Sequence, residues 1–135
     1  MRISILSLGL LMSFAMATAS TTPDLGIEKS YEVTAASVNS FCKLIQLGDY
    51  DAVRNLIERG EDVNEKSTGL TPLMFAARHN QPKVAQLLIE NGAKLNSRSE
   101  REGMTALQMA ERYKANEAYE VIKNASDSKK KNKKK

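Results

Sequence analysis

A chain of 135 residues, 41% hydrophobic and 27% charged, has room for one small domain and no more. Its formal charge of +4 misleads: without Arg2 and the six lysines of 129–135, 13 basic residues face 16 acidic ones, and the body stands near −3. That distribution excludes a nucleic-acid footprint, which needs basic residues clustered on the fold beside aromatic platforms, and the single cysteine excludes an internal disulfide.

In chain order, Met1-Arg2 supplies a positive start, and Ile3 to Ala15 is an apolar run. Ala15-Met16-Ala17 and Ala17-Thr18-Ala19 both fit a small-residue cleavage pattern. Residues 1–19 therefore read as a secretory signal peptide, with cleavage near Ala17 or Ala19. The alternative, an uncleaved anchor, asks a short run to cross a bilayer. No cysteine follows the run, which argues against lipid attachment there. The mature chain is expected to have no transmembrane span and to work in the periplasm or outside the cell. Residues 20–35, with Pro23 and Gly26, form a polar lead-in, either a linker or packed against the domain.

From residue 36 the chain speaks one phrase three times. Its fullest copy is the second (67–100), in which residues 69–96 read G-L-T-P-L-M-F-A-A-R-H-N-Q-P-K-V-A-Q-L-L-I-E-N-G-A-K-L-N. Thr71-Pro72 starts a helix: the hydroxyl can cap free backbone N–H groups, and the fixed φ of proline suits the first helical position. Leu73, Ala76 and Ala77 share one face, the alanines small enough for a neighbouring helix to come close. His79-Asn80 breaks that helix. Pro82 opens a second, with a stripe of Val84, Leu87 and Leu88, and Asn91-Gly92 stops it.

The first copy (36–66) places Phe41, Leu44, Ile45, Val53, Leu56 and Ile57 at the stripe positions, and the third (101–125) places Leu107, Ala110, Val121 and Ile122 there. Asn55 and Lys123 replace apolar residues of the central copy, so each end is expected to turn a more polar face to water. After residue 125 comes Ser126-Asp127-Ser128 and then K-K-K-N-K-K-K, from Lys129 to Lys135, a run expected to be disordered.

Gly60 to Gly92 and Asn64 to Asn96 share one spacing, whereas Gly69 to Gly103 and Leu73 to Leu107 share a slightly longer one. Together they bracket a period of about 33 residues, and with this wording the chain resembles the ankyrin repeat. The resemblance covers roughly 36–125 and implies an all-α solenoid of about three helix-turn-helix units with short linking turns. It also implies a protein partner bound on the concave side by the turn tips and the exposed ends of the inner helices. Carried over by position, the candidates are Gln46 and Leu47 in the first copy, and Ser67, Thr68, Leu70, Arg78 and His79 in the second. In the third they are Arg101, Glu102, Met104, Arg112 and Tyr113. Three departures stand out: Met74 replaces the family histidine, Ala106 replaces the proline, and no closing segment follows Asn124. The missing histidine predicts looser ties between adjacent turns.

No other motif carries chemistry. Cys42 falls on the first inner helix, where a small packed residue competes with a disulfide to another chain. His79 has no ligand or catalytic partner at a useful spacing. The glycines fall at repeat junctions and form neither G-x-x-x-x-G-K-S/T nor G-x-G-x-x-G. Glu61-Asp62, Glu100 and Glu102 sit at turns with no acid–base role to play. Asn124-Ala125-Ser126 matches a glycosylation pattern that has meaning only in a eukaryotic secretory path.

The chain is thus expected to be a non-enzymatic protein-binding module without cofactor, exported to hold or mask a partner. The alternative is a surface-associated protein whose lysine tail holds anionic lipid or polymer weakly, with the repeats as a rigid mount. An enzyme would need catalytic groups from a partner.

Overall fold

Most helices of this chain begin where a side chain can cap them and end where a residue can turn left-handed. The computed structural model describes residues 38–134. It contains α1 (Ser40–Leu47), α2 (Tyr50–Glu58), α3 (Pro72–Arg78), α4 (Pro82–Glu90), α5 (Ala106–Arg112) and α6 (Asn116–Asn132). The side chains of Asn39, Asp49, Thr71 and Thr105 accept backbone N–H bonds at the starts of α1, α2, α3 and α5. Between each inner and outer helix stands one residue at positive φ: Gly48 at 71°, Asn80 at 49° and Lys114 at 55°. The expected signal peptide, the polar lead-in and the opening of the first repeat at 36–37 lie outside the described residues, as does Lys135.

The helices stack in two rows. α1, α3 and α5 pack side by side as the inner row, and α2, α4 and α6 as the outer row. Ala76, Ala77 and Ala110 are fully buried where inner helices meet, as their size allows. Phe41, Ile45, Val53, Leu73, Val84, Leu87, Leu88 and Ile122 are buried as their spacing predicts, while Leu44, Leu56, Ile57, Leu107 and Val121 are partly buried. The central copy is the driest, with every residue from Pro72 to Ala77 buried. Asn55 and Lys123 are exposed, the polar outer faces that end units need. Among the described residues there is no strand, and paired extended backbone is limited to one bridge between Ser67 and Leu70.

Two expectations are corrected. The lysine run does not part from the fold at residue 126: α6 continues to Asn132, 17 residues against nine in α4. Its first half is anchored in the core through Ala118 and Ile122, so extension needs no new nucleus. Lysine is an acceptable helix former, and lysines in the last turn complement the helix dipole. Nor are the turns loosely tied. In place of the histidine, Met74 Sδ accepts the Thr71 N–H at 3.4 Å while Thr71 Oγ1 accepts the Met74 N–H at 3.3 Å. Ties between copies are made elsewhere: the Asn39 N–H donates to Ser67 Oγ at 2.9 Å, and the Glu100 N–H donates to the Gly69 carbonyl at 3.0 Å. Asn64 adds two more, its Oδ1 accepting the Lys94 N–H and its Nδ2 donating to the Gly92 carbonyl.

Candidate protein interface

Two linking turns and two inner-helix ends build a groove of about 790 Å³. The first turn closes on itself: Ser67 and Leu70 exchange both backbone hydrogen bonds, at 2.9 and 3.0 Å. The two residues between them, Thr68 and Gly69, both hold positive φ, 52° and 81°, as the primed hairpin turns require. Glycine adopts that conformation freely. Threonine, branched at Cβ, does so under strain, and it does so at the tip facing the groove. The second turn is wider. The Ser99 N–H reaches the Met104 carbonyl at 2.9 Å across a four-residue loop, and Arg98 braces it through Nη1 to the Gly103 carbonyl at 2.7 Å.

Ser67 and Ser99 therefore occupy the same place in successive turns, at the spacing that also separates Gly60 from Gly92. Both are buried. Counting forward by the longer spacing, that of Gly69 to Gly103, pairs Ser67 with Arg101 instead. The extra length falls inside the second tip, and Arg101 belongs to that insertion. Ser67 is thus largely enclosed in the turn, its hydroxyl accepting the Asn39 N–H.

Six of the expected residues line the groove: Thr68, Leu70, Arg78, Arg101, Glu102 and Tyr113. The guanidinium of Arg78 lies 4.9 Å from the centroid of the Tyr113 ring, a cation–π pair joining α3 to the end of α5. Tyr113 remains 40% exposed, so the pair is ordered and reachable at once. Lys66 and Glu100 form an ion pair at 3.5 Å beside it. The lining thus alternates cations, carboxylates, one aromatic ring and the apolar Val38, Leu70 and Met109. That mixture suits a polypeptide, since arginine and tyrosine anchor interfaces and paired charges set orientation.

The remaining expected residues lie outside the groove. Met104 and Arg112 meet on the flank of the second turn, where Arg112 Nη1 is 3.8 Å from Met104 Sδ and 4.0 Å from Glu102 Oε1. His79, the C-cap of α3, is exposed. Partial burial of its ring, and then the charges of Arg78 and Lys43, hold its pKa below the ordinary 6.5. Leu47 is 68% exposed at the end of α1, and the Gln46 carbonyl accepts from Gln81 Nε2 at 3.5 Å. Val38, Lys66, Gly69, Ser99, Glu100 and Met109 also line the groove, and counting by the period does not single them out as contacts. For Lys66 and Glu100 a signal existed, since they stand one long spacing apart, beside successive tips.

Cys42 is fully buried and unpaired, as a small packed residue would be. Burial, and then the charges of Glu65 and Glu61, push its thiol up to about 12. Among the described residues, no three His, Cys, Asp or Glu side chains gather to hold a metal, and no helix is long and apolar enough to cross a membrane.

Comparison with known proteins agrees with this architecture. The family model for ankyrin repeats (3 copies) matches residues 41–134. An ankyrin repeat protein of fowlpox virus is 46% identical over 63 residues, 44% of this chain and 18% of that protein. M-phase phosphoprotein 8 of Rattus norvegicus is 42% identical over 66 residues, 47% of this chain and 8% of its own length. SH3 and multiple ankyrin repeat domains protein 1 of Homo sapiens is 36% identical over 80 residues, 57% of this chain and 4% of its own length. The chain thus spans less than a fifth of each of these relatives. Ankyrin repeats are protein–protein interaction modules, which fits a groove made of turn tips and helix ends. With paired helices stacked in two rows, a repeating wording and a family match over most of its length, this chain belongs to the ankyrin repeat family.

Proposed function

We propose that this chain is a non-enzymatic binding module that holds a polypeptide segment of a partner protein in the groove between its second and third repeats, and does so outside the cytoplasm. The observation that carries the reading is the Arg78–Tyr113 pair, held at 4.9 Å on the groove wall and still open to solvent. Stacking spares the arginine much of the ordering cost that a free side chain meets on binding. Lys66, Glu100, Arg101 and Glu102 give the groove both signs of charge, which favours a partner segment of alternating charge around an apolar or aromatic residue. The apolar run from Ile3 to Ala15, followed by the small-residue pattern ending at Ala19, supports export.

The test has two parts. Mass spectrometry of the protein recovered from the exported fraction is expected to find a start near Thr18 or Ser20; an intact Met1 start there would sink the cleavage reading, and a protein found only in the cytoplasm would sink the export reading. Affinity capture from that fraction is then compared between the native chain and Arg78→Ala or Tyr113→Ser variants of unchanged melting temperature. A captured protein should lose tenfold or more in affinity with either change, about 1.4 kcal/mol or above, the range of an interface hot spot. Equal affinity for all three proteins would place the partner elsewhere.

A further inference from the structure

We propose that the chain carries a second docking site, a lysine-rimmed groove between the overhanging end of α6 and the turn that follows α4, and that it takes an acidic polypeptide segment. The groove has a volume of about 690 Å³ and shares no lining residue with the interface above. Lys94, Leu95, Asn96 and Ser97 form one wall; Ser126, Lys129, Lys130 and Lys133 form the other.

The groove exists because α6 is eight residues longer than the helix it packs against. At about 100° per residue, Ser126, Lys129, Lys130 and Lys133 fall within about 100° of one another, and Ile122 lies inside that stripe. The face of α6 that enters the core through Ile122 therefore continues past the core as a lysine face, and the turn at 94–97 stands opposite it. Four lysines thus line the groove from two elements. No carboxylate lines the groove, and none of the four lysines appears in the ion pairs found among the described residues.

Shape and lining choose the occupant. The walls are largely hydrocarbon, supplied by Leu95 and the lysine stems, with the charges at the rim. A concave, apolar-floored channel with a positive rim fits an extended chain that lays an aliphatic side chain inward and its carboxylates outward. A flat bilayer would draw on whichever lysines of α6 face outward and would not need Lys94 across the groove.

The probe is a fluorescein-labelled peptide rich in Glu and Leu, titrated by anisotropy into the full chain at physiological salt, with its Gln/Leu counterpart alongside. Lys94→Gln, Lys129→Gln and Lys133→Gln should each weaken binding about fivefold, the upper end for an exposed charge pair. Lys131→Gln makes the same change in net charge on the same helix, about 140° from Ser126 on the wheel, and should leave affinity nearly unchanged. Equal losses at Lys94 and Lys131 would overturn the proposal, since they would mark a diffuse field. So would equal affinity for the Gln/Leu peptide, or no binding of either peptide. Tighter binding to phosphatidylserine vesicles than to the peptide, with Lys94 contributing nothing, would also overturn it.

Discussion

Asn80 holds the second repeat to the third in two ways that mutation can separate. Its backbone sits at φ 49°, and its Oδ1 accepts the Ala118 N–H at 3.1 Å. Ala118 is the third residue of α6, whose N-cap is Ala115 and which has no side-chain cap of its own. Its N–H is one of the donors that a helix start leaves without an internal partner. Asn80→Gly keeps the left-handed backbone and deletes the cap, a cost of about 1 kcal/mol. Asn80→Ala deletes the cap and also replaces a residue that tolerates the left-handed region with one that does not, adding about 1 kcal/mol. Asn80→Asp keeps an acceptor and places a negative charge at the positive end of α6, so its effect should stay within about 0.5 kcal/mol. Urea unfolding of the full chain, followed by far-UV circular dichroism, should rank them Asp close to Asn, then Gly, then Ala. For a domain of this size, the melting temperature of Asn80→Ala should fall by roughly 8–16 °C. Native-state hydrogen exchange should quicken at the Ala118 amide in both Gly and Ala variants. A glycine variant whose Ala118 amide exchanges no faster than in the native chain would show that the cap contributes nothing. Alanine no worse than glycine would refute the strain argument.

Thr68→Asn should stabilise the chain by about 1 kcal/mol, because asparagine tolerates the φ of 52° that threonine holds under strain; an unchanged denaturation midpoint would contradict this. Leu88→Ala, at a fully buried site, should cost about 2–5 kcal/mol, whereas Leu47→Ser at a residue 68% exposed should stay within about 0.5 kcal/mol. The Cys42 thiol should resist iodoacetamide in the folded protein and react once urea is added, as mass spectrometry would follow. Its pKa is raised by folding from 9.0 to about 12, so the advantage it gives the native state is complete below pH 9.0 and lost as pH rises through about 12. Cys42→Ala should therefore show a flatter fall in stability across that window than the native chain.

The repeat was legible because each of its signals is local. Thr71-Pro72, the small pair Ala76-Ala77, the stripe of Val84, Leu87 and Leu88 and the stop at Asn91-Gly92 each describe a helix before any neighbour is placed. Copying them by the period then identifies which residues must meet a neighbour, and burial of Ile45, Leu88 and Ile122 follows. The candidate interface was half legible for the same reason. Arg78 and Tyr113 were placed at helix ends by counting, but nothing in the count says that a guanidinium on one repeat stacks on a ring of the next.

The sequence by itself determined the helices, their pairing and the order of stacking, since caps, breakers and periodicity act within a few residues. Tertiary structure alone decided what happens between copies. Only the packed turns show that Ser99, not Arg101, is the counterpart of Ser67, because an insertion leaves the same total length wherever it falls. Nor could composition show that Asn80 caps a helix 38 positions away, or that a lysine run continues as helix. A partner's distance across the stack, and a core already nucleating the first half of α6, are properties of the assembled repeats and not of any stretch of chain within them.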